Sequence, residues 1–244
     1  MPSVGLALTA AGLATAPVSA TLAVAAAAAS DASLPALKWL VEHGADPRNV
    51  GTLEDVPLLF RAAKRPLFDR LDYLIGTGLD PTERSRAGLT LMHIAAQNGL
   101  DERVLQLLRA KGLGLNDAAP DGRRPIHFAN VKSITVLAKA GADLNVVDRD
   151  GRTALHWAAA EGRQDAVAQL LALNASVFNA DAKGRTPLHL AALSRSEPTV
   201  DALLAAGAPR TPRDNDGLTP RDLAESANKQ QQRSRGYRGV ADKL

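Results

Sequence analysis

The 244-residue chain contains no cysteine. That excludes a disulfide scaffold, a thiolate zinc site and a cysteine nucleophile. Aromatic residues amount to only 3%, within a hydrophobic share of 45% made up largely of alanine. Alanine buries little area but lets backbones approach closely, so the expected core is thin and built from close-packed helices. The first thirty residues carry no charged side chain, Asp31 being the first. Pro2 and Pro17 interrupt that stretch, and its alanine-rich text does not read as a membrane span. There is no Gly-x-x-x-x-Gly-Lys-Ser/Thr and no Gly-x-Gly-x-x-Gly, so a phosphate-cradling loop of either kind is not expected.

Charge is unevenly placed. Residues 1–209 hold 21 basic and 21 acidic side chains, and residues 210–244 hold 8 and 5, which is the whole net charge of +3. The chain is therefore a neutral body with a basic end, a pattern that does not point to nucleic acid. Arg233 to Arg238 lacks an apolar face for a membrane and has Tyr237 as its one aromatic, so it reads as a solvated end.

What is present is a repeat. Four of the five histidines, His93, His127, His156 and His189, are spaced by 34, 29 and 33 residues. They sit in Thr90-Leu-Met-His-Ile-Ala-Ala96, Arg124-Pro-Ile-His-Phe-Ala129, Thr153-Ala-Leu-His-Trp-Ala-Ala159 and Thr186-Pro-Leu-His-Leu-Ala-Ala192. A glycine stands two residues before each start: Gly88, Gly122, Gly151 and Gly184. A leucine-rich stretch then ends in Gly-Ala-Asp or a variant, as at Gly44, Gly78, Gly141 and Gly207, with Asn174 in the glycine's place once. Such a helix end calls for positive φ, which Gly and Asn supply.

These motifs resemble the ankyrin repeat, whose hallmark is Thr-Pro-Leu-His-x-Ala-Ala at a period near 33. The resemblance implies an all-α solenoid of about seven units with hairpin loops on one edge and no second domain. The units run over about 18–50, 51–84, 85–118, 119–147, 148–180, 181–213 and 214–244. Leu59 to Ala63 is read as a unit whose histidine has become Phe60, and Leu22 to Ala26 as the first. The unit 119–147 is short by about four residues near Asn130, which predicts a truncated first helix. In the last unit Arg221 replaces the core leucine, as a cap with no further neighbour requires. The organisation expected is a leader or capping helix at 1–17, an array at 18–228 and a basic C-terminal cap or tail at 229–244.

Each histidine would lie one helix-packing distance, roughly 8–10 Å, from the next. Imidazoles so spaced cannot converge on one zinc, whose ligands lie about 2 Å away. They are read as links between neighbouring units, with no metal or other cofactor implied. Asp148 with Asp150, and Asp214 with Asp216, are read as turn aspartates that bond nearby backbone rather than as an acid–base pair. Gly112-Leu-Gly114 reads as a helix end.

The residue after each hairpin glycine is arginine in three successive units: Arg123, Arg152 and Arg185. Arg48, Arg84, Arg86, Arg149, Lys183 and Arg213 add further hairpin cations. Stacked in a row they would form a basic ladder offering fork-shaped donors to an acidic partner. The alternative, that arginine is a soluble choice for a variable loop, stays open here. The resemblance implies that hairpin tips and the exposed inner-helix face carry binding. Position by position these are Arg86, Leu89, Gln97, Asn98, Arg123, Arg149, Arg152, Glu161, Lys183, Arg185, Leu193 and Ser194. It also implies that Phe128 and Trp157, after the histidine, are core. The function expected is a non-enzymatic, monomeric protein-interaction module, with an inhibitory, immunity-type role as its sharper form. The rivals are an exported structural protein of the cell envelope and, as the lesser one because no catalytic motif is seen, an enzyme. Val18-Ser19-Ala20 suits leader cleavage after Leu6 to Ala14, but no Lys or Arg precedes that stretch.

Overall fold

The computed structural model describes residues 34–47, 58–64 and 68–234, with side chains as far as Ala227. Among the described residues there are twelve helices and no strand. They are α1 (Leu34–Glu42), α2 (Leu58–Ala63), α3 (Phe68–Gly76), α4 (Leu91–Asn98), α5 (Glu102–Ala110), α6 (Pro125–Phe128), α7 (Val131–Lys139), α8 (Ala154–Ala160), α9 (Gln164–Ala172), α10 (Pro187–Ser194), α11 (Glu197–Ala205) and α12 (Pro220–Ser234). The chain divides into two compact units, one ending at Gly114 and the other beginning at Leu115.

In the first unit the inner helices α2 and α4 pack on each other, and the outer helices α3 and α5 pack beside them. In the second, α6, α8, α10 and α12 stack as inner helices and α7, α9 and α11 as outer ones. A helix pair this small cannot cover its own apolar face, so each layer is completed by the next. Ala62, Ala63, Ala95, Ala96, Ala159 and Ala191 are fully buried. These side chains place inner helices at close range. From the outer helices Leu74, Leu108, Leu137, Leu170 and Leu203 fill the space between layers. Leu171 and Leu204, expected beside them, are half-buried.

The inner helices start as the motif requires. The backbone N–H of Thr90, Arg124, Thr153 and Thr186 each donates to Nδ1 of the histidine three residues on, at 3.0–3.2 Å. Pro125 and Pro187 open their helices, where an N–H would have no partner. Phe60 takes the histidine's place in α2 and is buried there. The outer helices end on Gly44, Gly78, Gly112, Gly141 and Gly207 with φ between 87° and 94°, and Asn174 does the same with φ 62°.

The shortened unit has the expected form. The helix α6 holds only four residues, Ala129 turns extended, and the Asn130 side chain caps α7 by accepting from Ser133 N at 3.0 Å. The text from Lys229 continues α12 to Ser234, because Lys, Gln and Arg are good helix formers and no glycine or proline intervenes before Gly236. The proposed leader at 1–17, the first unit's Leu22 to Ala26, the cation Arg48 and the stretch 235–244 lie outside the described residues.

Candidate functional site

In the second unit the four hairpins are joined backbone to backbone. Arg149 N donates to Asp121 O at 3.0 Å, Ala182 N to Asp150 O at 2.8 Å, and Asn215 N to Lys183 O at 2.9 Å. Gly122, Gly151 and Gly184 make these approaches possible. A Cβ on Gly151, at φ +75°, would stand 2.9 Å from Ala182 N. Beneath the hairpins, Nε2 of His127, His156 and His189 donates to the carbonyl oxygens of Arg152, Arg185 and Leu218 at 3.0, 3.0 and 3.2 Å. Each of those carbonyls belongs to the next repeat. In each ring Nδ1 accepts and Nε2 donates. Burial first of all holds His127 and His156 below the ordinary imidazole range. Among the described residues no three His, Asp or Glu side chains are gathered so that they could hold a metal ion.

The turn aspartates behave as their sequence suggests. Asp148 Oδ1 accepts from Asp150 N and Arg152 N at 2.9 and 2.8 Å. Asp214 Oδ1 accepts from Asp216 N and Leu218 N at 3.0 and 2.9 Å. Asp181 is the third in this register, and the sequence reading did not single it out. Its Oδ1 accepts from Lys183 N and Arg185 N, both at 2.9 Å.

The arginine row is assembled, and its charges are engaged inside the molecule. Arg123 Nε lies 2.6 Å from Asp121, Arg152 Nε lies 3.5 Å from Asp181, and Arg185 Nη2 lies 2.7 Å from the same Asp181 oxygen. The three arginine side chains are 28%, 21% and 14% exposed, and that of Asp181 only 1%. Burial pushes against the charge on Asp181, but Arg185 and the two turn N–H groups outweigh it and hold the carboxyl below its usual range. A ladder of free cations is thus not what the hairpins present. They present an alternating row of guanidinium and carboxylate.

Two aromatic rings complete the row. The Arg123 guanidinium lies over Phe128 at 4.3 Å and over Trp157 at 4.8 Å, and Arg152 lies over the Trp157 ring at 5.2 Å. Trp157 Nε1 donates to Asp148 Oδ2 at 2.8 Å. Both rings are half-buried, so the expectation that they belong to the core is corrected. The position after the histidine faces the hairpins, and these side chains are too large to be enclosed by alanine-lined inner helices. Asp181 could have been found from its 33-residue register with Asp148 and Asp214, and the rings from their place beside the arginine column.

The remaining residues implied as binding are variously placed. Arg149 and Lys183 are exposed on the hairpins. Glu161 is exposed and pairs with Arg163 at 2.7 Å. Leu193 is 36% exposed, while Ser194 is half-buried with its hydroxyl donating to Ala191 O. In the first unit Arg86, Gln97 and Asn98 are exposed and Leu89 is half-buried. Arg84 and Arg213 fold back on their own hairpins, donating to Gly88 O and Gly217 O.

A family model of ankyrin repeats in three copies matches residues 130–216, and a second, of ankyrin repeats in many copies, matches residues 59–109. The chain belongs to the ankyrin repeat family. Neurogenic locus notch homolog protein 1 of Xenopus laevis is 31% identical over 150 residues, covering 60% of this chain and 6% of that protein. BCL-6 corepressor-like protein 1 of Homo sapiens is 33% identical over 109 residues, 43% of this chain and 6% of its own length. Palmitoyltransferase AKR1 of Lachancea kluyveri is 25% identical over 152 residues, 59% and 21% respectively. The chain spans a small part of each of these relatives. Ankyrin repeats as a class are protein–protein interaction modules. Among the described residues no helix is long and apolar enough to cross a membrane.

Proposed function

We propose that this ankyrin protein is a non-enzymatic docking protein that binds one partner protein on the hairpin and inner-helix face of residues 115–244. The observation that supports this is the half-buried cluster of Phe128, Arg123, Trp157 and Arg152. Trp and Arg held rigid beside each other are the side chains that dominate binding energy at protein interfaces. Exposed Arg149 and Lys183 at the hairpins add positive charge that steers a partner with an acidic surface. The leading form of the function is inhibitory, of the immunity or regulator type. A pre-ordered stack joined by hairpin backbone bonds loses little conformational entropy when it covers an enzyme's working surface.

The test compares the wild type with Trp157→Ala and with the exposed-cation variant Arg149→Glu, Lys183→Glu, each checked for unchanged helical circular dichroism. Partners are captured from the native host and affinities measured by calorimetry. One partner should be lost by about a hundredfold in Trp157→Ala. It should associate more slowly, and with less salt dependence, in the charge variant. A partner bound equally by all three proteins would place docking elsewhere.

A further inference from the structure

In the second unit two outer helices each rest on their own inner helix and on the outer helix before them: α9 on α8 and α7, and α11 on α10 and α9. The place that an outer helix after α12 would take holds no helix among the described residues. It is a groove of about 470 Å³ floored by Leu188, Ala192, Val200, Leu204, Pro220 and Ala224. Comparison with the preceding repeat shows what is uncovered. Ala159 and Val167 have no exposed surface. Ala192 and Val200, 33 residues on, are only half-buried.

Charge surrounds the floor. Arg195, Arg210 and Arg221 border the groove with Glu197 as the bordering acid, and Glu225 pairs with Arg221 at 2.9 Å. Arg195 is held in place by donating to Ala227 O at 3.1 Å. The rim therefore carries one more positive charge than negative. The chain's own last residues match it poorly. Beyond α12, residues 235–244 hold Arg235, Arg238 and Lys243 against Asp242 alone, so like charges meet. The seats of the same kind inside the unit are filled by nine-residue helices with an apolar stripe, α9 and α11.

We propose that this terminal groove docks an amphipathic helix from a partner protein, its apolar stripe on the floor and its flanking glutamates or aspartates toward the arginine rim. The docked helix completes the last repeat as α11 completes the one before it. This surface is separate from the hairpin face.

The probe is a fluorescein-labelled helical peptide with leucines at i, i+3, i+4 and i+7 and glutamates on the flanks, titrated into the full chain by anisotropy. A control peptide carries lysine in place of every glutamate. Saturable binding of the acidic peptide is expected, weakened about tenfold or more by Leu204→Glu. Because Leu204→Glu could disturb packing, a second variant changes only exposed charge: Arg210→Glu with Arg221→Glu, with unchanged helicity. It should weaken binding about tenfold and flatten its salt dependence. The proposal is overturned by no saturable binding, by equal binding of the lysine peptide, or by equal binding to the charge-reversed variant. It is equally overturned if binding is seen only after residues 235–244 are removed, since the chain's own end would then be the occupant.

Discussion

The imidazole of His156 donates through Nε2 to the carbonyl oxygen of Arg185, 29 residues along the chain, at 3.0 Å. Its Nδ1 accepts from Thr153 N at 3.2 Å, so one ring ties the start of its own helix to the hairpin of the next repeat. The ring has no exposed surface. Replacing His156 with Ala removes the acceptor of the buried Thr153 N–H, breaks the bond to the Arg185 carbonyl and leaves a buried space, which costs about 2–4 kcal/mol. Urea unfolding followed by circular dichroism measures it, and a change below about 0.5 kcal/mol would contradict the linking role.

Acid should loosen the second unit before any carboxylate titrates. His127 and His156 are held below the ordinary imidazole value by burial, so the unfolded chain takes up protons more readily than the folded one. Stability from this source is complete above the unfolded value of about 6.5 and falls as pH drops through it toward the folded value. The urea midpoint should therefore decline from pH 8 to pH 5.5. The variant His127→Gln, His156→Gln should be less stable throughout but flatter over that range.

The hairpin glycines should not be equivalent. Gly151→Ala combines positive φ with a Cβ at 2.9 Å from Ala182 N, whereas Gly217, also at positive φ, faces open space. Gly217→Ala should cost about 1 kcal/mol for its backbone conformation alone. Gly151→Ala should cost clearly more, about 2–4 kcal/mol. Thermal melts of the two variants side by side decide it; equal melting temperatures would show that hairpin contact is not limiting.

Asp181 neutralises two arginines at once. Asp181→Asn keeps the shape but removes the charge facing Arg152 and Arg185. The fold should lose about 1–3 kcal/mol. The variant should also elute later from a cation-exchange resin than a control in which exposed Asp150 is changed to Asn. Co-elution of the two would mean that the row contributes no separate charge to the surface.

Local sequence fixed the repeat in these residues because each unit carries its own instructions. The threonine–histidine start, the alanine pair and the Gly or Asn end act within a few residues, so α8 and α10 were legible from the text around His156 and His189. Even the four-residue α6 was legible, from the missing residues near Asn130. For Lys229 to Ser234 composition leaves a cap or a tail open, and the helix from Pro220 continues through it because Lys, Gln and Arg sustain helix.

The docking row was only half legible. A 33-residue register aligns Arg152 with Arg185, and sequence alone determined that they stand in a column. Which partner each guanidinium takes is settled by distances between layers, and Asp181, brought near both, turns the expected basic ladder into paired charges. The position after the histidine likewise has no fixed environment in the sequence: Leu190 is buried there, while Trp157 is half-exposed beneath Arg123 and Arg152. Periodicity is a property of the chain and can be read from it. Burial and charge pairing belong to side chains from different repeats meeting in space, and only their packing decides them.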